Sequence, residues 1–311
     1  MKYYFAPVQG HTDAAYRHFH AAHYGHTAES DRPIVYTTPF IRLEKGELRK
    51  KDFKDATSEL NAANEVVPQV IFKNGEELHG LVELLKSEGF GRIDINMGCP
   101  FPLQTSRGRG AATIANEECR RAVKEVVESN PEIDFSVKMR LGFAEEEYKP
   151  LIETLNNLKL NHISVHPRTA KDQYSGNLHP EAFSEIYRMS SNPIVYNGEI
   201  KTPSEAKEII EKYPDLAGIM IGRGALARPS IFAEILSGEE WSEERRRKEM
   251  MAFHRRLFSY YRDNLIGGDH QVLSKIQPFW EYSEEEIGRK AWKAIKKASN
   301  MSKYQTALAL I

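Results

Sequence analysis

The chain has 311 residues, enough for one large α/β barrel or two domains around a substantial core. Its 43 basic and 44 acidic side chains nearly cancel, which excludes whole-molecule attraction to a polyanion and leaves any nucleic-acid contact to local patches. The two cysteines, Cys99 and Cys119, form no disulfide framework and point to a reducing cytoplasm. No signal peptide, membrane span or metal site is expected.

Short apolar, β-branched runs recur at about residues 3–8, 33–38, 67–72, 91–97, 134–140, 161–166, 193–197 and 216–222. Helical patterns such as 75–88 and 203–213 separate them, and Ala225–Leu236 follows the eighth. Eight strand–helix units within about 235 residues predict a (β/α)8 barrel over residues 1–236. A doubly wound sheet would want a Gly-rich turn after its first strand. That strand ends instead on Ala6-Pro7-Val8-Gln9-Gly10-His11-Thr12-Asp13. From Ser237 the patterns are helical only, at Ser242–Asn264, Asp269–Tyr282 and Ser283–Ser299, which predicts a smaller all-helical domain over 237–311. This tail carries 14 Lys/Arg against 11 Asp/Glu, a net of +3, so the barrel is left at −4. Its basic residues, Lys293, Lys296 and Lys297 among them, fall at helical spacing, which suits either a solvated face or a polyanion. The interleaved aromatic residues, Trp292 included, are expected mostly in the bundle core.

In such barrels function resides at the carboxyl ends of the strands. The most informative end is Asp94-Ile95-Asn96-Met97-Gly98-Cys99-Pro100, where a thiol stands just past the strand, between a glycine and a proline that bend the chain. The other ends supply Pro7, Val8 and Gln9, then Gln69, Lys138 with Arg140, and His166 with Arg168. Core packing does not explain so many polar residues, because barrel interiors are mostly apolar. Asn197-Gly198-Glu199 and Gly222-Arg223-Gly224 close strands seven and eight, the usual phosphate site. Glycines there let backbone N–H groups approach phosphate oxygens, and an arginine pairs with them.

These stretches, with Val137–Gly142, Val165–Thr169, Tyr174–Gly176 and Ile221–Leu226, resemble in order the flavin-dependent tRNA-dihydrouridine synthases of the bacterial type. The resemblance implies an FMN-bearing barrel that uses NADPH to reduce the C5–C6 bond of selected uridines in tRNA, acting as a monomer. It implies Cys99 as the general acid that protonates C5. It assigns Pro7, Val8, Gln9, Gln69, Lys138, His166, Asn197, Gly198, Glu199, Gly222 and Arg223 to the cofactor. Lys138 would face the flavin's N1–C2=O edge, where negative charge gathers on reduction. Asn96, Arg168, Arg107, Arg109, Lys293, Lys296 and Lys297 would meet the RNA. The loop Phe101–Ala112, basic and mobile in composition, would close over an extruded base, with residues 40–55 as a second insertion at the same rim. Val8, Pro167, Arg109 and Arg228 depart from the family pattern. The competing functions are a metabolic flavoenzyme of the dihydroorotate or dihydropyrimidine dehydrogenase type, which needs no basic tail, and a non-catalytic RNA-binding barrel.

Overall fold

The computed structural model describes residues 1–25 and 34–311. Its strands are Lys2–Phe5, Ile34–Thr37, a third in two pieces (Val66–Val67 and Gln69–Val70), Arg92–Met97, Asp134–Arg140, His162–His166, Ile194–Tyr196 and Gly218–Ile221. All pair in parallel with their neighbours, and the first pairs with the eighth, Lys2 opposite Gly218. Pro68 splits the third strand because it has no N–H to give the ladder. The piece before it pairs with the second strand and the piece after it with the fourth, so this one run closes the barrel. The eight runs expected from periodicity are the eight strands, each within a few residues. Residue 33, the first of the second expected run, lies outside the described residues.

Period-2 alternation assigns each strand an outer and an inner face. Ile93, Ile95, Met97, Phe135, Val137, Met139, Ile163 and Val165 face outward into the main core, against the surrounding helices. The inner face divides in two, and here the expectation of a mostly apolar interior is corrected. Tyr4, Ala6, Val35, Val67, Val195 and Met220 form a separate apolar cluster. Strands three to five instead turn Gln69, Asp94, Asn96 and Ser136 toward one another, all buried and linked by hydrogen bonds.

The tail is a helical bundle: Glu243–Asn264, Gly268–Ile276, a short 3-10 turn at Gln277–Trp280, Glu284–Ile287, Arg289–Lys297 and Met301–Leu308. Ser242 caps the long first helix through Arg245 N–H, as its position before two glutamates suggests. Two expected helices are broken. Pro229 divides the run after the eighth strand into Arg223–Ala227 and Ile231–Ser237, and Gly288, at φ +80°, divides 283–299. The bundle packs on the helix Ala14–Tyr24, where Phe253 sits among Tyr16, His20 and Tyr24 with ring centroids 5.2–5.9 Å apart. Phe253, Leu257, Trp280 and Tyr304 therefore belong to the same hydrophobic cluster as the barrel's outer face.

Candidate active site

A cavity of about 1160 Å³ opens at the carboxyl ends of the strands. Loop segments after six strands, with Gln69 of the third strand and Lys138 and Arg140 of the fifth, supply its floor and walls, and the tail supplies part of its rim through Glu281, Tyr282 and Trp292. Every residue expected at the cofactor lines it: Pro7, Val8, Gln9, Gln69, Lys138, His166, Asn197, Gly198, Glu199, Gly222 and Arg223. Asn96, Cys99 and Arg168 line it as well, whereas Arg107, Arg109 and the three tail lysines do not.

The turn that carries Cys99 is held from two sides. The Asn96 side-chain oxygen accepts the Gly98 and Cys99 N–H groups at 3.0 and 2.9 Å. From the other side Ala111 N–H donates to the Cys99 carbonyl at 3.1 Å. Gly110, at φ +61°, allows this approach, since a Cβ there would stand 2.5 Å from that carbonyl oxygen. Burial raises the Cys99 thiol, outweighing the Phe101 backbone contact and the charges of Lys138 and Arg140 that oppose it. At neutral pH the group is a thiol and a proton donor.

Cations dominate the field. Burial, and then the charge of Arg140, lower Lys138 to about 8 against the pull of Asp94 and Cys99. Burial, and then Arg140, Lys138, Arg168 and Arg223 together, hold His166 well below the usual histidine range, so it is neutral. One buried nitrogen of Arg140, Nη2, has no partner among the described residues, while its Nη1 donates to the Thr169 and Gln173 carbonyls. Arg140 and Arg223 both lie over the Tyr174 ring, 5.1 and 4.6 Å from its centroid. Glu199 is the anion that balances this wall, 2.7 Å from Arg168 and 3.5 Å from Arg223. An orphaned buried donor in a strongly cationic cavity suits a ligand with anionic edges.

Several expectations are corrected. Arg109 does not face solvent: it is 4% exposed, bound to Glu77 at 2.7 Å and to the Leu43 carbonyl at 2.8 Å. It therefore clamps the loop after Cys99 to a small hairpin, Leu43–Glu44 with Glu47–Leu48, and is not free for a phosphate. The loop itself is not irregular but carries a helical turn, Pro102–Thr105, and a 3-10 turn, Gly110–Thr113. Gln69 spends its amide on Asp94 and Asn96, at 2.7 Å each. Arg168 is committed to Glu199 and to the Gly176 carbonyl, at 2.7 Å each, which makes it a brace between loops. Trp292, read as bundle core, is half-buried at the cavity rim, with Lys296 4.7 Å from its ring. Arg107, Lys293, Lys296 and Lys297 are exposed.

Sequence reasoning also missed contributors. Arg140 was visible only as a strand end, and its alternation with Lys138 was the available signal. Arg246 and the tail acids Glu281 and Glu284 reach the cavity through packing that no local pattern encodes, whereas Arg42 does so from the 40–55 insertion expected at this rim. Arg228, the departure near the barrel's end, is bound to Glu234 and to Glu240, the latter at 3.1 Å, which ties the last barrel helices to the start of the tail. Among the described residues no helix is long and apolar enough to cross a membrane, and no group of potential metal ligands occurs.

Comparison with known proteins matches residues 4–309 to the family model described as dihydrouridine synthase (Dus). A probable tRNA-dihydrouridine synthase of Aquifex aeolicus (strain VF5) is 32% identical over 173 residues, spanning 53% of this chain and 54% of that protein. Its counterpart in Staphylococcus aureus (strain COL) is 26% identical over 273 residues, 84% of this chain and 78% of that one. The tRNA-dihydrouridine synthase B of Shewanella oneidensis is 27% identical over 237 residues, 74% and 69% of the two chains. Among solved structures, morphinone reductase in complex with tetrahydroNAD superimposes with a TM-score of 0.54 at 9% identity, covering 78% of this chain and 88% of that one. At that identity the likeness is one of fold.

Proposed function

The chain belongs to the dihydrouridine synthase family, and from that premise we propose that it reduces the C5–C6 bond of uridines in tRNA, with FMN as cofactor and NADPH as reductant. The observation that carries this reading is a protonated, positioned thiol, Cys99, at the mouth of a cationic cavity wide enough for a flavin and a nucleobase. When bound, FMN supplies the hydride for C6 of the uracil. The residues fit such a group: Lys138, Arg223 and the orphaned Nη2 of Arg140 answer its anionic edges, and the backbone at Gly198 and Gly222 borders the same space.

The remaining work falls to this chain. Cys99 holds the proton that C5 requires, and its raised pKa keeps that proton in place until a developing carbanion takes it. Lys138 and Arg140 set the positive field in which an anionic ring edge is stabilised. Tyr174, 48% exposed and backed by two guanidinium groups, offers a face on which an extruded base stacks. The exposed tail lysines and Arg107 supply phosphate contacts outside the cavity, and the protein acts in the cytoplasm as a monomer.

The direct test is to map dihydrouridine in tRNA from cells with and without this gene and to record the visible spectrum of the purified protein. Loss of dihydrouridine at defined positions, together with a flavin absorbance near one FMN per chain, supports the reading. A colourless protein, or an unchanged RNA, sinks it.

A further inference from the structure

The polar half of the barrel interior contains a chain of hydrogen bonds with a single direction. Strand pairing sets Gln69, Asp94 and Ser136 in one row across the third, fourth and fifth strands, with Asn96 one inward position above Asp94. The Ser136 hydroxyl donates to one Asp94 oxygen at 2.5 Å and the Gln69 amide donates to the other at 2.7 Å. The Gln69 carbonyl in turn accepts from the Asn96 amide at 2.7 Å, and the Asn96 carbonyl accepts the N–H groups of Gly98 and Cys99. All four side chains are buried, Gln69 and Asn96 at the cavity wall and Asp94 and Ser136 beneath it.

Both ends of this chain demand the same polarity. Two backbone N–H groups at the Cys99 turn require an acceptor, so Asn96 must offer its oxygen there and its NH2 to Gln69. Gln69 must then offer its own NH2 to the next partner, to which Ser136 also donates, so the group there accepts on both sides. An ionised carboxylate is such a group. An amide at position 94 would have one face that accepts and one that donates: with its oxygen on Gln69 its NH2 faces Ser136, whose hydroxyl must then turn from donor to acceptor, and with its NH2 on Gln69 two donors meet. The first arrangement replaces a charged acceptor by a neutral one and leaves the Ser136 proton without its partner, and the second buries two facing donors; either weakens the anchor.

We propose that Asp94 is a positioning residue: its carboxylate anchors the Gln69 and Asn96 amides in one orientation and thereby holds the Cys99 turn at the cavity mouth. This rests on the reading of Cys99 as proton donor only for its catalytic consequence, since the anchoring itself is a matter of hydrogen bonds. Asp94 lies outside the cavity lining and acts through the two amides, not on substrate.

The test uses Asp94→Asn in the full chain, at matched fold by circular dichroism. Peptide-resolved mass spectrometry then measures hydrogen exchange at Gly98–Cys99 and the alkylation rate of Cys99 by iodoacetamide, with buried Cys119 as internal reference. Exchange is expected to accelerate about tenfold, the equivalent of one lost hydrogen bond, with a clear change in the Cys99 alkylation rate. Turnover should fall in kcat by roughly 10- to 100-fold, the range for a small misplacement caused away from the chemistry, with KM for tRNA unchanged. In a Cys99→Ala background Asp94→Asn should cost no further activity. Unchanged exchange and alkylation in a folded Asp94→Asn overturn the positioning role, whatever the activity. Altered exchange and alkylation, with full tRNA reduction by Cys99→Ala, leave the positioning role standing and remove Cys99 as proton donor. If Asp94→Asn does not fold, Gln69→Met, which removes the amide that links the carboxylate to Asn96, is expected to accelerate exchange at Gly98–Cys99 in the same direction. No change in that variant counts against the proposal.

Discussion

Cys99 and Lys138 carry opposite chemical assignments although both are half-buried near the same charges. Burial disfavours ionisation of each, which keeps the thiol protonated and makes the ammonium titrate near neutrality, at about 8. For Cys99→Ala we expect retained FMN and retained flavin reduction by NADPH, with tRNA turnover lower by roughly two to four orders of magnitude, as for loss of a general acid. Full turnover would mean that another group or water gives the proton. Lys138 leads to a pH dependence with a definite sign. Below about pH 8 its charge attracts an anionic cofactor, and the bound anion raises its pKa in the complex. FMN affinity should therefore fall as pH rises above about 8, and the slope should vanish in Lys138→Met. An equilibrium dialysis series across that range that shows no fall for the wild type would remove Lys138 from the cofactor's surroundings. Arg223→Ala should lower FMN retention through loss of a charge-assisted contact to the phosphate.

At the scale of elements, the loop after the fourth strand is stiffened by a buried ion pair. Arg109 reaches across to Glu77 on the helix Gly75–Ser87 and to the hairpin that follows the second strand. Removing one partner of such a pair leaves the other charge buried, at a cost of about 3–5 kcal/mol. Arg109→Ala should fall near the lower figure, because Lys73 remains 3.4 Å from Glu77. Urea unfolding measures this, and a loss below about 1 kcal/mol would show that the pair contributes no more than a surface bridge. The same clamp explains why a loop with two glycines and two arginines between Arg107 and Gly110 is ordered. Its basic composition suggested motion and RNA contact, but only Arg107 is left outside.

For the whole molecule, the decisive relation is that between the barrel mouth and the tail. Two links fasten the tail to the loop after the first strand: His11 lies 2.7 Å from Glu281, and Asp13 accepts from Lys275 at 2.6 Å and from Tyr261 at 2.9 Å. Glu243, Glu281 and Glu284–Glu286 of the tail thus line the cavity beside Arg246, while Lys293, Lys296 and Lys297 are exposed and outside its lining, Lys296 against the rim residue Trp292. Neutralising those three lysines together should weaken tRNA binding and flatten its salt dependence by roughly 0.7–0.9 per lost phosphate contact, with NADPH oxidation untouched. Normal binding by the triple variant would make them a solvated helix face and direct attention to Arg107 and residues 40–55.

The order and number of strands, the identity of the strand-end residues and the helical nature of the tail were legible in the sequence, because each follows from local periodicity, turn residues and the two-residue alternation of a strand. Cys99 was legible for the same reason: glycine before it and proline after it mark where the strand must stop. What contacts what across the barrel was not legible. Arg109 reads as a solvent-facing cation until Glu77, 32 residues earlier, is found beside it. Trp292 reads as core until the bundle is docked, and Asp94 reads as one more polar strand residue until the register sets Gln69 and Ser136 on either side of it. Local sequence determines which face a side chain occupies, but its ionisation and its partners depend on burial and on charges brought from distant segments, and only the tertiary structure decides those.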